Sequence, residues 1–414
     1  MFPFRVYLSI GAAACLAASS AAAQPAPPPT PASAPEPQPA PPASAPAAAS
    51  GPTFKVDGYV EAHYSRNFNE PSNGITNFRG FDNRHDTFTI SNVVLGGTFD
   101  YESLSGRLAL QIGHTPSTYY LAEPSSPGSS GAASTNADVF KYIQTAYAGW
   151  KAPVGRGLLL QAGLFLSPVG YEGMAVKDNW NWSRSNLFFG LPFYHTGVKA
   201  TYDLTDRLSV MGMLTNGWNS VVDGNLHKSV AAQLLYKVPD KLTMSLLYFG
   251  GNERPQGAPE GEPWRHMLDF WVQLDATAWL SLAAQGNAGF ERNRFGTSYW
   301  GTGAAYARVQ PAKWLYLAAR GDLFHERAAQ SNAGSAGAIF WPVELHGSGT
   351  LTADLRPVFV PGGSNVSFRV EYRHDEAGGD MFFRGAVEGN GLSTPHVPNA
   401  SSQDTLTVGL TGWL

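Results

Sequence analysis

Lys55, Asp57 and Glu61 sit on odd positions of FKVDGYVEAHYSRN, and the arrangement recurs as Arg369, Glu371 and Arg373 in NVSFRVEYRHD. Arg320 and Asp322 form another such pair, and Glu344 and Asp354 lie on the even positions of WPVELHGSGTLTADLRP. Charges gathered on one face could hold a metal, exchange protons with a substrate, or simply face water. The ten histidines are scattered without an H-E-x-x-H, and the one cysteine is Cys15, so no zinc set is expected. GTGAAY breaks off before a G-x-G-x-x-G, no Walker loop or G-x-S-x-G occurs, and HGSGT around Ser348 reads as a strand of small residues. A Ser–His hydrolase needs only that its partners meet in space, but nothing singles out a pair. The expectation is a protein without cofactor, metal or catalytic residues, and not an enzyme.

The elements carrying these charges have the two-residue period of strands with one apolar and one polar face. Phe54, Val56, Val60, Ala62 and Tyr64 alternate with the charges of the first; Val366, Phe368, Val370 and Tyr372 alternate with those near the end. Sixteen such segments can be placed, starting near residues 54, 87, 105, 138, 156, 194, 207, 228, 241, 266, 279, 297, 313, 343, 364 and 404. Short connections alternate strictly with long ones: 68–86, 119–137, 168–193, 217–227, 251–264, 292–296, 327–341 and 375–403. That is the organisation of an outer-membrane barrel, with short periplasmic turns and long outer loops. The final QDTLTVGLTGWL keeps the period to its end, as a last strand must if it closes on the first, because an open edge cannot survive in lipid. Tyr101, Trp150, Tyr202, Tyr236, Trp279 and Trp314 each lie near a different short turn, at the height of a membrane interface. The rival is a soluble β-sandwich or two of them, but a chain of this length normally splits into separate cores and no linker divides 54–414. The fold expected is all-β, a transmembrane antiparallel barrel of about 16 strands over 53–414.

Ahead of the barrel, residues 1–23 read as a secretory signal: one Arg, an apolar stretch, then Ala21-Ala22-Ala23 before Gln24. Residues 24–52 are a Pro/Ala spacer without side chains for a core. Only 14% of residues are charged and the net charge is −4 with no basic block, which excludes nucleic-acid binding as a reading.

If the apolar face meets lipid, the charges point into the lumen. So many cannot be buried dry cheaply, and a sixteen-strand circumference leaves room for an aqueous channel. Water around them is therefore the expectation, with a dense ion-pair network as the alternative. The connection SPVGYEGMAVKDNWNWSRSNLFFGLP stands apart. Its Trp180, Trp182, Phe188 and Phe189 need somewhere to pack, and folding inward would provide it while narrowing the pore. Lys177, Asp178 and Arg184 on this loop, with Glu61, Arg320, Asp322, Glu344, Arg369, Glu371 and Arg373 on the wall, are the expected pore-lining residues. Packing on neighbouring outer loops, or on another barrel, is the alternative for the loop.

GYVEAHYSRNFNEP, NWNWSRSNLFFGLPFYHTGVKATYDLTDRLSV and the NGWN at 216–219 resemble the OmpL-like β-barrel porins, over most of 54–414. The resemblance implies a bacterial outer-membrane diffusion porin, and it brings no catalytic or ligand residues with it. Trp413-Leu414 departs from the aromatic, most often Phe, on which such barrels usually finish, which bears on recognition by the barrel-assembly machinery. The reading is a passive channel for small hydrophilic solutes and ions, surrounded by outer-membrane lipid, with a homotrimer as the analogy from porins of this size. A plugged structural or adhesive barrel and a substrate-specific uptake channel are the alternatives.

Overall fold

The computed structural model describes residues 51–120, 123, 140–357 and 365–414. The expected signal at 1–23 and all but the last two residues of the 24–52 spacer lie outside the described residues.

Sixteen strands close into one antiparallel barrel. The first five are β1 (Thr53–Asn67), β2 (Thr87–Tyr101), β3 (Leu104–Ile112), β4 (Ile143–Ala152) and β5 (Leu158–Leu166). Next come β6 (Tyr194–Asp203), β7 (Leu208–Thr215), β8 (Ser229–Val238), β9 (Leu242–Asn252) and β10 (Trp264–Asp275). β11 (Leu280–Asn293), β12 (Gly296–Ala312) and β13 (Leu315–Arg327) follow. A two-stranded hairpin, β14 (Gln330–Ser331) and β15 (Gly334–Ser335), sits in the loop beyond β13. β13 therefore pairs with β16 (Leu345–Leu355), which pairs with β17 (Val366–Ala377), which pairs with β18 (Ser402–Trp413). β18 then pairs with β1, Leu406 opposite Arg66 and Trp413 opposite Tyr59, so no edge is left open.

The strand starts fall within five residues of those expected, the fourth being the furthest off. Along β17 the alternation is complete: Ser367, Arg369, Glu371, Arg373 and Asp375 are buried inside, while Phe368 and Tyr372 are exposed outside. Val60, Leu95, Leu110, Leu268, Leu351 and Leu410 continue the exposed apolar belt round the barrel. Tyr101, Trp150, Trp279 and Trp314 are exposed near the short turns, where a ring with one wet and one apolar end fits a lipid interface. No described helix is long and apolar enough to cross a membrane.

β1 and β2 slip register between Glu61 and Ala62, leaving Ser91 as the extra residue. A bulge of this kind re-aims side chains. Here the Ser91 hydroxyl meets His63 Nδ1 inside the barrel at 2.7 Å.

The inward loop and the lumen wall

The connection between β5 and β6, residues 167–193, carries a short 3₁₀ turn at Val176–Asp178 and a single helical turn at Asn186–Phe189. Each has a local cause. Asn179 clamps Gly173 from both sides, accepting its N–H and donating to its C=O at 2.8 Å each. The Ser185 hydroxyl accepts the Phe188 N–H at 3.1 Å, an N-cap for the helical turn. Arg184 turns back on its own loop, donating to the carbonyls of Gly173 (3.1 Å), Trp182 (2.7 Å) and Met174.

The loop enters the lumen, and the wall holds it by its backbone. Gly170 N–H donates to Asp269 (3.2 Å), Tyr171 N–H to Gln285 (3.1 Å) and Val176 N–H to Glu61 (2.6 Å). Trp182 and Ser183 N–H both donate to the Glu371 carboxylate, at 2.5 and 2.9 Å, and Asn186 N–H donates to Asp322 at 3.1 Å. The arginines take the carbonyls. Arg369 donates to Asn181 C=O (3.0 Å), Arg373 to Arg184 C=O (2.5 Å), and Arg320 to Ser183 C=O (2.5 Å) and Arg184 C=O (3.3 Å). Arg320 also reaches Glu172 Oε1 at 2.9 Å, pairing wall and loop ionically. Buried charges otherwise cost several kcal/mol each; here the loop's peptide groups replace the water those charges would need, and the charges supply the partners an irregular buried backbone needs.

The outer loops are fastened by the same device. Glu326 accepts from the N–H groups of Phe340 and Trp341, 3.0 Å each. Glu123, between β3 and β4, accepts from Val221 and Val222, between β7 and β8, and burial pushes its carboxyl above the usual range. Burial alone would also raise Asp82, yet the Arg79 guanidinium beside it draws it down to about 2.

Apolar packing completes the fit. Trp180, Leu187 and Leu191 join Phe324, Trp300 and Met267 in one buried cluster. Phe188 stacks on Phe193, ring centroids 5.1 Å apart, with Phe81 of the first loop edge-on at 6.0 Å. Trp182 lies so close to β18 that a Cβ on Gly409 would stand 2.3 Å from its ring. Gly409→Val should therefore displace Trp182 and lower the temperature at which the folded barrel converts to the unfolded band on unboiled gels. Overpacking of this kind costs about 1–3 kcal/mol; an unshifted conversion temperature would show that the loop does not need this seat.

The expected pore-lining residues now divide. Glu61, Arg184, Arg320, Asp322, Arg369, Glu371 and Arg373 are all buried, brought together around the inward loop. The expectation that they stand in water is corrected: the loop backbone takes water's place, and the ion-pair network is what forms. Lys177 and Asp178 keep solvent contact, paired to each other at 2.8 Å with side chains 28% and 62% exposed. Glu344 is exposed just ahead of β16, away from the loop's anchors, its carbonyl accepting the Glu326 N–H. Glu172, Asp269, Gln285, Thr352 and Gly409 hold the loop and were not among the site residues expected. Nothing in the sequence marks Gly409 as a seat for a tryptophan. Beneath the loop a cavity of about 400 Å³ opens between Asp57, Arg107 and Gln144, lined on the loop side by Gly173, Met174, Ala175, Lys177 and Asp178. No cluster of potential metal ligands occurs among the described residues.

A sixteen-strand closed barrel with an apolar belt, a polar lumen and a loop folded into it is the architecture of a porin. Residues 53–411 match a family model described as "Putative beta-barrel porin-2, OmpL-like". The chain belongs to that family and is an outer-membrane porin. No curated protein matches it in sequence. Among solved structures it is similar to the outer-membrane channel DcaP of Acinetobacter baumannii: 9% identity, 88% of this chain and 98% of that one, TM-score 0.55. It is also similar to OmpT of Vibrio cholerae, with 11% identity, 89% and 99% coverage and TM-score 0.54. A third is the anion-selective porin from Comamonas acidovorans, with 10% identity, 88% and 100% coverage and TM-score 0.53. At these identities the likeness is one of fold.

Proposed function

We propose that this porin passes small hydrophilic solutes and ions passively, through the part of the lumen that the inward loop leaves free. The observation that carries the reading is the anchoring of that loop to both sides of the wall, from Asp269 and Gln285 round to Glu61 and Glu371. A segment so held sets the width of the passage. Lys177 and Asp178 then line the constriction, while Arg184, Glu61, Arg320, Asp322, Arg369, Glu371 and Arg373 act by holding the loop in place; Glu344 contributes charge at a mouth. Flux is down a gradient, screened by width and by the charge that stays in water, and no reaction is assigned to the chain. Residues 1–23 serve as its export signal and 24–52 as a spacer. Outer-membrane lipid, the assembly machinery and two further copies in a homotrimer are the proposed partners; OmpT of Vibrio cholerae has been solved in a trimer form.

Single-channel recording of the refolded barrel at two salt concentrations tests this. Steady steps that scale with salt support the reading; silence from a folded, inserted barrel overturns it. The burial of so many lumen charges favours a second reading, a barrel plugged for structural use, and silence would make that the better account. Saturable flux with one solute would instead indicate substrate-specific uptake.

A further inference from the structure

Below the inward loop most lumen charges are matched. Asp57 takes Arg107 at 2.6 Å, Asp178 takes Lys177, and Asp354 takes Arg356 at 2.9 Å and Arg369 at 3.3 Å. Among the described residues Asp275 forms no ion pair; it is held by the Ser281 hydroxyl at 2.6 Å and the Gln273 amide. Arg308, on β12, is different. Among the described residues it forms neither an ion pair nor a side-chain hydrogen bond, and it remains half-buried rather than sealed off. What it does have is two rings: its guanidinium lies over Trp180 of the inward loop at 4.8 Å and over Tyr316 of β13 at 5.3 Å. Arg356 continues the series, 5.0 Å from Tyr316 and 5.9 Å from Trp413. Guanidinium and ring thus alternate from the loop to the last strand.

We infer that Arg308 is a binding station for a small oxyanion, a carboxylate or phosphate, on the solute path beneath the inward loop. Three physical points carry this. Rings beside a guanidinium attract its charge while consuming none of its five N–H donors. The donors left along its edge match two oxygens of a carboxylate or phosphate, a geometry a spherical ion cannot use. Asp57 and Asp354 are taken by Arg107, Arg356 and Arg369, and Asp275, held by neutral donors, attracts Arg308 without forming a contact ion pair with it. One of its two rings belongs to the loop, so the same segment that narrows the passage also shapes the station. Lys199, over Phe165 at 4.7 Å, is a second cation set against a ring and without an ion pair among the described residues. The inference deepens the porin reading by naming a solute class, and rests on it only for the route.

The test begins with binding, which needs no conduction. The folded full-length barrel in detergent is titrated calorimetrically with sodium phosphate, against sodium chloride at equal ionic strength. Saturable heat with phosphate alone, weakened at least tenfold in Arg308→Gln and only partly regained in Arg308→Lys, is the expected result. Equal response to chloride, no saturable heat, or unchanged affinity in Arg308→Gln overturns the station. Reversal potentials in a potassium phosphate gradient then separate the two claims: binding without open steps would keep the station and remove the channel, and open steps without binding would do the reverse.

Discussion

Replacing Met174–Leu187 with a short Gly/Ser linker should raise single-channel conductance several-fold at a given salt while the barrel still folds. The segment removed includes the Val176, Trp182, Ser183 and Asn186 amides that the wall holds, and the Trp180 and Trp182 rings. The strand ladder does not depend on it, since every barrel strand is paired on both sides without the loop. Once the loop is gone, Glu61, Arg320, Arg369, Glu371 and Arg373 face an open lumen, where water solvates them as the peptide groups did. A barrel of this strand number is wide enough for an aqueous channel when its interior is not filled. Planar-bilayer recording of both proteins measures the difference. An unchanged step size in a correctly folded variant would place the constriction elsewhere, with the outer loops gathered by Glu326 and Glu123 the next place to look.

How much of this the sequence discloses follows from what periodicity can encode. A two-residue period fixes which side chains share a face, and lipid outside makes the apolar one unambiguous, so Arg369, Glu371 and Arg373 could be placed in the lumen from their spacing alone. Aromatic density likewise pointed the 168–193 loop inward. What spacing does not carry is occupancy. Whether Glu371 meets water or the Trp182 and Ser183 amides depends on where a segment nearly two hundred residues away comes to rest. The backbone donors that decide it leave no signature in side-chain identity. Arg184 shows the same limit from the other direction: as a cation on an inward loop it read as pore-lining, yet three carbonyls of its own loop absorb it. The β14–β15 hairpin went unforeseen because two-residue strands are too short to show a period.

Arg320→Ala should do more damage to the closed arrangement than any other single substitution on the wall. The guanidinium ties together Glu172 and the Ser183 and Arg184 carbonyls of the loop, Thr350 of β16 at 3.0 Å, and Asp322 on its own strand at 3.5 Å. Removing it leaves Glu172 and Asp322 as two carboxylates with no shared cation, in a site where both are buried. Breaking a buried pair from one side costs about 3–5 kcal/mol. The β-ladder can keep the barrel closed through such a loss, but the loop has an alternative, which is to leave the wall and let water reach both acids. The expected record is therefore a noisy channel with frequent brief steps well above the wild-type level, and a lower conversion temperature on unboiled gels. Arg320→Lys separates charge from geometry. An ammonium can still neutralise Glu172 but cannot span the loop carbonyls and Thr350 in one plane, so it should restore much of the thermal stability and little of the quiet baseline. If instead Arg320→Ala gives the same steady current as wild type, the loop is held by its apolar contacts around Trp180 and Leu187, and the charged wall is incidental to its position.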